Sequence, residues 1–133
     1  YLDDYFEIFV NTNRVDRNSV TGILEQLYIR TGKLEFSFTT KMLHTINNAL
    51  PIYDSEIAKA FCFAIQHKSS VEIKIQRYLH FYDELINSYK IIESEGLLNK
   101  TLINFIRRFP ERQSEISMTK KIDFIFWKSK PYE

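Results

Sequence analysis

The chain has 133 residues, 44% of them hydrophobic and 26% charged, with a net charge of +1 at pH 7. This length fits one domain that buries a core without metals or disulfides, and the composition is typical of a soluble globular protein. No apolar run approaches about 18 residues, which excludes a membrane-spanning helix.

The residue usage indicates long regular elements around an aromatic core. The chain has only three Gly and three Pro but eight Tyr and eleven Phe, so rings are expected to fill the core, with tyrosine hydroxyls at its edge. The single cysteine, Cys62, lies in an apolar stretch and predicts a buried thiol in a reducing, cytoplasmic compartment. Residues 1–133 are expected to form one helical domain. Because the chain begins at Tyr1 without Met, that domain is expected to come from a trimmed or longer protein.

Apolar residues at helical spacing, bounded by cap and stop residues, characterise the first half of the chain. The predicted helices there are 2–10, a second from Asp16 or Asn18 to Gly32, a third from Ser37 or Thr39 to about Asn48, and a fourth that begins at Asp54 or Ser55.

The clearest periodicity lies in the second half, where a helix of about 24 residues is predicted to form the centre of the fold. The predicted helices there run from Ser69 or Ser70 to Gly96, over 97–109, and from Glu111 to about Lys128. Residues 122–127 could instead form a strand on β-propensity alone. The chain is therefore predicted to be all-α, a compact bundle of six to seven helices.

A lysine and an aspartate are the strongest candidates for chemistry. Lys41 lies in the first turn of a helix of about 10 Å, and residues 49–53 can span about 16 Å, so the chain can bring Asp54 back to the lysine amine. Burial and the neighbouring opposite charge would shift the pKa values of both groups in directions useful for catalysis. The simpler alternative is that Asp54 caps a helix and Lys41 is solvated.

Residues 41–44 and 51–57 resemble the segment of helix-hairpin-helix DNA glycosylases that runs from the catalytic lysine to the catalytic aspartate. The resemblance covers about residues 36–65. It implies a similar helical fold and DNA as a partner, with Lys41 as the nucleophile at the sugar carbon and Asp54 as a base or electrostatic partner. The Gly-x-Gly hairpin of that family is absent, and the interval between the two residues is shorter.

The same region is also similar to uncharacterised bacterial proteins with an SK-LH…P-YDS signature. These proteins carry an aspartate and a tryptophan near the end, here Asp123 and Trp127. The near-neutral charge, the missing hairpin glycines and the start of the chain at Tyr1 keep a second hypothesis open. In that hypothesis the chain is a non-catalytic helical domain of a larger bacterial protein and binds a protein partner.

A basic stripe near the end of the chain is the candidate nucleic-acid surface. Residues 107–130 contain seven basic and three acidic residues. The excess of basic residues suits contact with a phosphate backbone, and an aromatic ring in the same segment can stack on a base. The residues predicted to make these contacts are Arg107, Arg108, Arg112, Lys120, Lys121 and Trp127. The interspersed acids fit an exposed helical face of mixed charge equally well.

Metal and cofactor sites are not predicted. His80 and Glu84 share a helix face at a spacing of four residues, but no second ligand pair accompanies them. The sequence contains no phosphate-binding glycine loop and no nucleophile elbow, and it indicates no particular oligomeric state.

Overall fold

A computed structural model of the chain describes residues 16–108 and 117–128, which form helices and no strand. The described helices are α1 (Ser19–Thr31), α2 (Phe36–Ile46), α3 (Ser55–Ala60), α4 (Val71–Glu95), α5 (Asn99–Arg108) and α6 (Met118–Lys128). The all-α prediction is confirmed for this part of the chain. Residues 122–127 lie within α6, so the strand alternative is wrong, and the segment predicted over 2–10 lies outside the described residues.

The ends of α1 and α4 and the start of α4 follow local signals that the sequence carries, whereas Asn18, which precedes α1, makes no capping side-chain hydrogen bond. Each helix ends at a left-handed glycine, Gly32 with φ 73° and Gly96 with φ 64°, where a residue with a side chain would be strained. At the start of α4, Ser70 accepts a hydrogen bond from the backbone N–H of Ile73, as N-cap serines do. These predicted caps and stops are confirmed.

Helix α2 begins at Phe36, before the predicted caps Ser37 and Thr39. Both threonines of its first turns are fully buried, and the hydroxyl of Thr39 donates to the carbonyl of Glu35 at 2.7 Å. A hydroxyl satisfied inside the helix is not available to cap it. Because Phe36 is only 1% exposed, core packing brings the first turn into the helix.

Cys62 is exposed, so the prediction of a buried thiol is wrong. It follows α3 with a φ of 55°, and its N–H donates to the carbonyl of Lys59, while Phe63 donates to Ala58. This pair of bonds is the Schellman motif that closes helices, in which the left-handed residue is usually glycine. The turn therefore directs Cys62 outward although its sequence neighbours are apolar.

The helices pack around the long helix α4. Helix α1 lies against α2 and α4, and α6 lies against α3, α4 and α5. Tyr82, near the middle of α4, is fully buried, and the rings of Phe63 and Phe81 stack at 4.2 Å between centroids. The fully buried hydrophobic residues Leu24, Leu27, Leu43 and Leu85 complete the centre of the core.

An ion pair joins the residues before α1 to α4. The guanidinium of Arg17 binds the carboxylate of Asp83 through two atoms, at 2.5 and 2.7 Å, a geometry that aligns both planar groups. The Arg17 hydrogen bond lowers the pKa of Asp83. Since both side chains remain partly exposed, the pair orients the start of α1 more than it stabilises the fold.

Candidate functional site

A cavity of about 400 Å³ lies where α2, α3, α6 and the segment 47–54 meet. Its lining residues are Lys41, His44, Thr45, Ile52, Asp54, Ile57, Lys120 and Asp123. Lys41 and Thr45 are exposed, whereas Ile52, Ile57 and Asp123 are buried. The cavity therefore extends from the surface to a partly apolar interior and contains two lysines, two aspartates and a histidine.

The structure brings Lys41 and Asp54 to this same cavity through the residues that precede them. The backbone N–H of Tyr53 donates to the hydroxyl oxygen of Thr40 at 2.9 Å. That hydroxyl lies 3.0 Å from the carbonyl of Ser37 and 3.3 Å from that of Tyr53. Because Thr40 is fully buried, these bonds fix where the segment 47–54 meets α2.

Aromatic packing holds the same segment from the side of α4. The hydroxyl of Tyr82 donates to the carbonyl of Pro51 at 2.7 Å, and the ring of Tyr53 packs against Phe36 and Tyr78. Burial, reinforced by Tyr78 and Asp54, raises the pKa of Tyr53 to about 12. Tyr53 is therefore a neutral packing residue, and the backbone beside Asp54 is held on two sides.

Asp54 both caps α3 and lines the cavity. Its Oδ1 accepts the backbone N–H of Ile57 at 2.8 Å, so the predicted cap is confirmed. The capping bond orients the carboxylate through Oδ1 and does not use Oδ2. Asp54 also lines the cavity. Asp54 therefore caps α3 and Lys41 is exposed, as the simpler alternative predicts, while both residues line the same cavity.

Helix α6 is tied to the other end of the same segment. The hydroxyl of Ser117 donates to the carbonyl of Asn48 at 2.8 Å, and Thr119 donates to Ala49 at 3.1 Å. Ser117 also accepts the N–H of Lys120, which makes it the cap of α6. Lys120 and Asp123, one helical turn apart, consequently share the face that lines the cavity.

His44 is held as a neutral imidazole with a defined tautomer. Its Nδ1 lies 2.7 Å from the carbonyl of Leu50, and a carbonyl only accepts, so Nδ1 carries the proton. Burial lowers the pKa of His44, the Leu50 bond raises it, and Lys120 lowers it further. Near neutral pH, Nε2 is therefore an unprotonated acceptor on a residue that lines the cavity.

Among the described carboxylic acids, Asp123 has the pKa that is shifted the most. Its Oδ1 accepts the hydroxyl of Tyr89 at 2.5 Å, Oδ2 is buried, and the backbone amide of Ile52 is directed at the carboxyl group. Burial raises the pKa of Asp123 to about 7, while Tyr89, Lys120 and the Ile52 amide lower it and Asp54 raises it. Near neutral pH, Asp123 is therefore divided between its acid and its carboxylate forms.

The described residues of the predicted basic stripe do not share one solvent-exposed face. Arg107 is exposed on α5, Lys120 lines the cavity, and Lys121 is buried with 8% exposure. Arg112 lies outside the described residues, as do the side chains of Arg108 and Trp127.

Two cavity residues, His44 and Asp123, were not selected as site residues from the sequence. His44 lies three residues after Lys41, and Asp123 lies three residues after Lys120, a spacing that shares a helix face. That spacing is the available signal. This spacing shows which residues share a helix face, but it does not show which other element that face contacts.

The described residues contain no group of three or more His, Cys, Asp and Glu side chains that could hold a metal ion. His80 and Glu84 are exposed and lie beside each other, with Nε2 and Oε1 3.0 Å apart. Within the same described part, no helix has the length and apolar content needed to cross a membrane.

Comparisons of the chain with protein-family models, curated proteins and solved structures gave no match.

Proposed function

We propose that the cavity is a lysine-dependent site that acts on the deoxyribose of DNA, in the manner of a helix-hairpin-helix glycosylase. The observation that carries the proposal is that Lys41 and Asp54 line one cavity. The chain also resembles that family in the segment that contains both residues. His44 and Asp123 add groups that can accept or exchange protons at neutral pH.

The proposed chemistry uses the amine of Lys41 as the nucleophile. The deprotonated amine attacks C1′ of the sugar, a C–N bond forms, and the bond to the base breaks with its electron pair leaving on the base. At an abasic site the amine instead adds to the C1′ aldehyde, and loss of water gives an imine. Borohydride reduces that imine to a stable amine that joins protein and DNA.

Asp54 is proposed to stabilise the positive charge that develops on the sugar during this reaction. A preoriented carboxylate stabilises such charge without having to reorganise. The bond between Asp54 Oδ1 and the Ile57 N–H supplies this orientation. The lysine and the carboxylate therefore have separate roles, which separate substitutions can test.

The cavity also carries charge that suits a nucleic acid. Lys120 joins Lys41 in the lining, and Arg107 is exposed on the neighbouring helix α5. Cations near the opening attract the phosphates that flank a sugar bound inside. Helix α2 starts without the glycine hairpin of the glycosylase family. The proposed phosphate contacts are therefore these side chains and not backbone amides.

The test is borohydride trapping with duplex DNA that contains one abasic site. The wild-type chain is expected to give a covalent adduct, and Lys41→Ala is expected to abolish it. Lys59→Ala, on the exposed end of α3 outside the lining, is the matched control and should trap normally. Lys120→Ala identifies whether the second cavity lysine is the nucleophile. Absence of an adduct, or an adduct that survives Lys41→Ala, rejects the proposal.

A non-catalytic protein-interaction domain is the second candidate. It is favoured by apolar side chains exposed along one stretch of chain, with Ile91 at 49%, Leu97 at 61% and Ile103 at 50% exposure. Such side chains are common in protein interfaces. DNA affinity that falls steeply with salt would count against this candidate, whereas a stable complex with a protein that is lost in Leu97→Lys would support it.

A further inference from the structure

We propose that α6 is a pH-controlled lid over the cavity, held closed while the Asp123 carboxyl group is protonated and released when that group ionises. Helix α6 supplies two residues of the lining, Lys120 and Asp123, so its movement opens the cavity from that side. The inference concerns access to the cavity. It goes beyond the proposed reaction and does not depend on whether Lys41 acts on DNA.

The first argument is the position of Asp123 at the contact between α6 and the rest of the fold. The residue is only 7% exposed, and two other elements donate to its carboxyl group. The hydroxyl of Tyr89 reaches it from α4 at 2.5 Å, and the backbone amide of Ile52 is directed at it from the segment 47–54. Moving α6 outward breaks both interactions and exposes the carboxyl group to water. The position of α6 and the ionisation of Asp123 are therefore linked.

The second argument is the cost of an ionised carboxylate in the closed position. Burial is the largest influence on Asp123 and raises its pKa to about 7 from 3.8. A charge held in a poorly solvated interior destabilises the state that buries it. Because an open α6 returns the carboxylate to water, a rise in pH favours the open position over the closed one.

The third argument is that α6 is lightly attached. Its start is held by exposed hydrogen bonds from Ser117 to the carbonyl of Asn48 and from Thr119 to that of Ala49. Among the side chains of α6 that the structure describes, Ile122 is the hydrophobic residue of the buried core, whereas α1 contributes four. Segments with few buried apolar contacts open at a lower free energy than the whole molecule. Helix α6 can therefore open while the rest of the core stays folded.

The groups around Asp123 come from each helix that α6 contacts. They are Tyr82 and Tyr89 on α4, Asp54 at the start of α3, the exposed Lys100 and Arg107 on α5, Lys120 on α6 itself, and His44 in the cavity lining. Tyr89 and Lys120 favour the carboxylate of Asp123, and Asp54 favours the acid. Burial raises the pKa of both tyrosines, which stay neutral.

The sign of the pH dependence distinguishes Asp123 from His44. Burial lowers the pKa of His44, so its protonation would favour the open position as the pH falls. Ionisation of Asp123 favours the open position as the pH rises. With a pKa of about 7 when closed and an ordinary 3.8 when open, the open fraction should rise about 10- to 100-fold between pH 5 and pH 8.

The experiment measures amide hydrogen exchange of the intact chain by NMR from pH 5 to pH 8, with rates corrected for the intrinsic pH dependence of exchange. The Lys121 amide, which donates to the carbonyl of Ser117, reports on α6, and the amide of the fully buried Leu24 reports on α1. The open fraction of α6 should rise with pH as stated. At pH 8 it should exceed the unfolded fraction from urea denaturation by at least about tenfold, whereas the α1 amide should match that unfolded fraction.

Three variants assign the effect to Asp123. Asp123→Asn should remove the rise with pH, and Glu72→Gln, an exposed change on α4, is the matched control and should keep it. Tyr89→Phe removes a hydrogen bond that lowers the pKa of Asp123, so the midpoint of the rise should move to higher pH. This variant decides the matter if Asp123→Asn does not fold.

Two results would overturn the inference. Exchange of the α6 amide at the rate of the α1 amide at every pH would show that Asp123 affects only global unfolding. A rise that persists in Asp123→Asn, or a midpoint unmoved in Tyr89→Phe, would show that another group controls α6. Because the measurement involves no DNA, its outcome is separate from that of the borohydride test.

Discussion

Thr40 and Tyr53 are joined by a hydrogen bond of 2.9 Å from the Tyr53 N–H to the Thr40 hydroxyl, and the residues that follow them are Lys41 and Asp54. The hydroxyl is fully buried and also lies near two carbonyl oxygens. One side chain therefore connects the helix that carries the lysine to the segment that carries the aspartate. The candidate site depends on this connection more than on any contact between the charged groups themselves.

Thr40→Val should separate the hydroxyl from the volume of this side chain. Valine fills nearly the same space but leaves the buried N–H of Tyr53 without a partner, so we expect a loss of about 1–3 kcal/mol in unfolding free energy. Urea denaturation measures this loss, and borohydride trapping should fall with it. Thr40→Ser keeps the hydroxyl and is the control. A valine variant as stable and as reactive as the serine variant would contradict the connection.

Substitutions of Asp54 should distinguish its capping role from its charge. Asparagine caps helices about as well as aspartate, so Asp54→Asn should keep the unfolding free energy within about 0.5 kcal/mol of wild type. Asp54→Ala should lose about 1 kcal/mol. If the carboxylate stabilises charge on the sugar, both variants should reduce the trapping rate by about 10- to 100-fold. Normal trapping by the asparagine variant would leave only the cap.

Asp123 should make the protein less stable as the pH rises through neutrality. Burial raises its pKa to about 7 from 3.8, so between these values the folded state holds a proton that the unfolded state has lost. The stabilisation that comes from this bound proton is fully present below about pH 4 and is lost as the pH rises through about 7. Relative to Asp123→Asn, wild type should lose about 2–4 kcal/mol over that interval. Denaturant titrations at several pH values measure the difference, and parallel curves would contradict it.

Cys62→Gly should stabilise the end of α3. Cys62 adopts a φ of 55° as the left-handed residue of the closing motif, a conformation that costs a residue with a side chain about 1 kcal/mol more than glycine. Thermal unfolding should therefore show a gain of up to about 1 kcal/mol. Cys62→Ala controls for loss of the thiol, since alanine keeps the backbone strain. Equal stability of the two variants would show that the strain is negligible.

Features that depend on residues close together in the chain are predictable from the sequence alone. Capping at Ser70 and Asp54 and termination at Gly32 and Gly96 follow from side-chain hydrogen bonds and backbone conformation within a few residues. The all-α class follows from the helical spacing of apolar positions. The spacing of Lys41 and Asp54 allows the two residues to come together, but it does not distinguish capping from chemistry.

Which elements meet around Lys41 and Asp54 depends on how the helices pack together. The start of α2 depends on the burial of Phe36, and the outward direction of Cys62 depends on the turn that closes α3. The approach of Asp123 to the cavity depends on hydrogen bonds from α6 to Asn48 and Ala49, across 69 and 70 residues of chain. Local propensity carries no information about such distant partners, because the free energy of these contacts is gained only when the separate helices pack together.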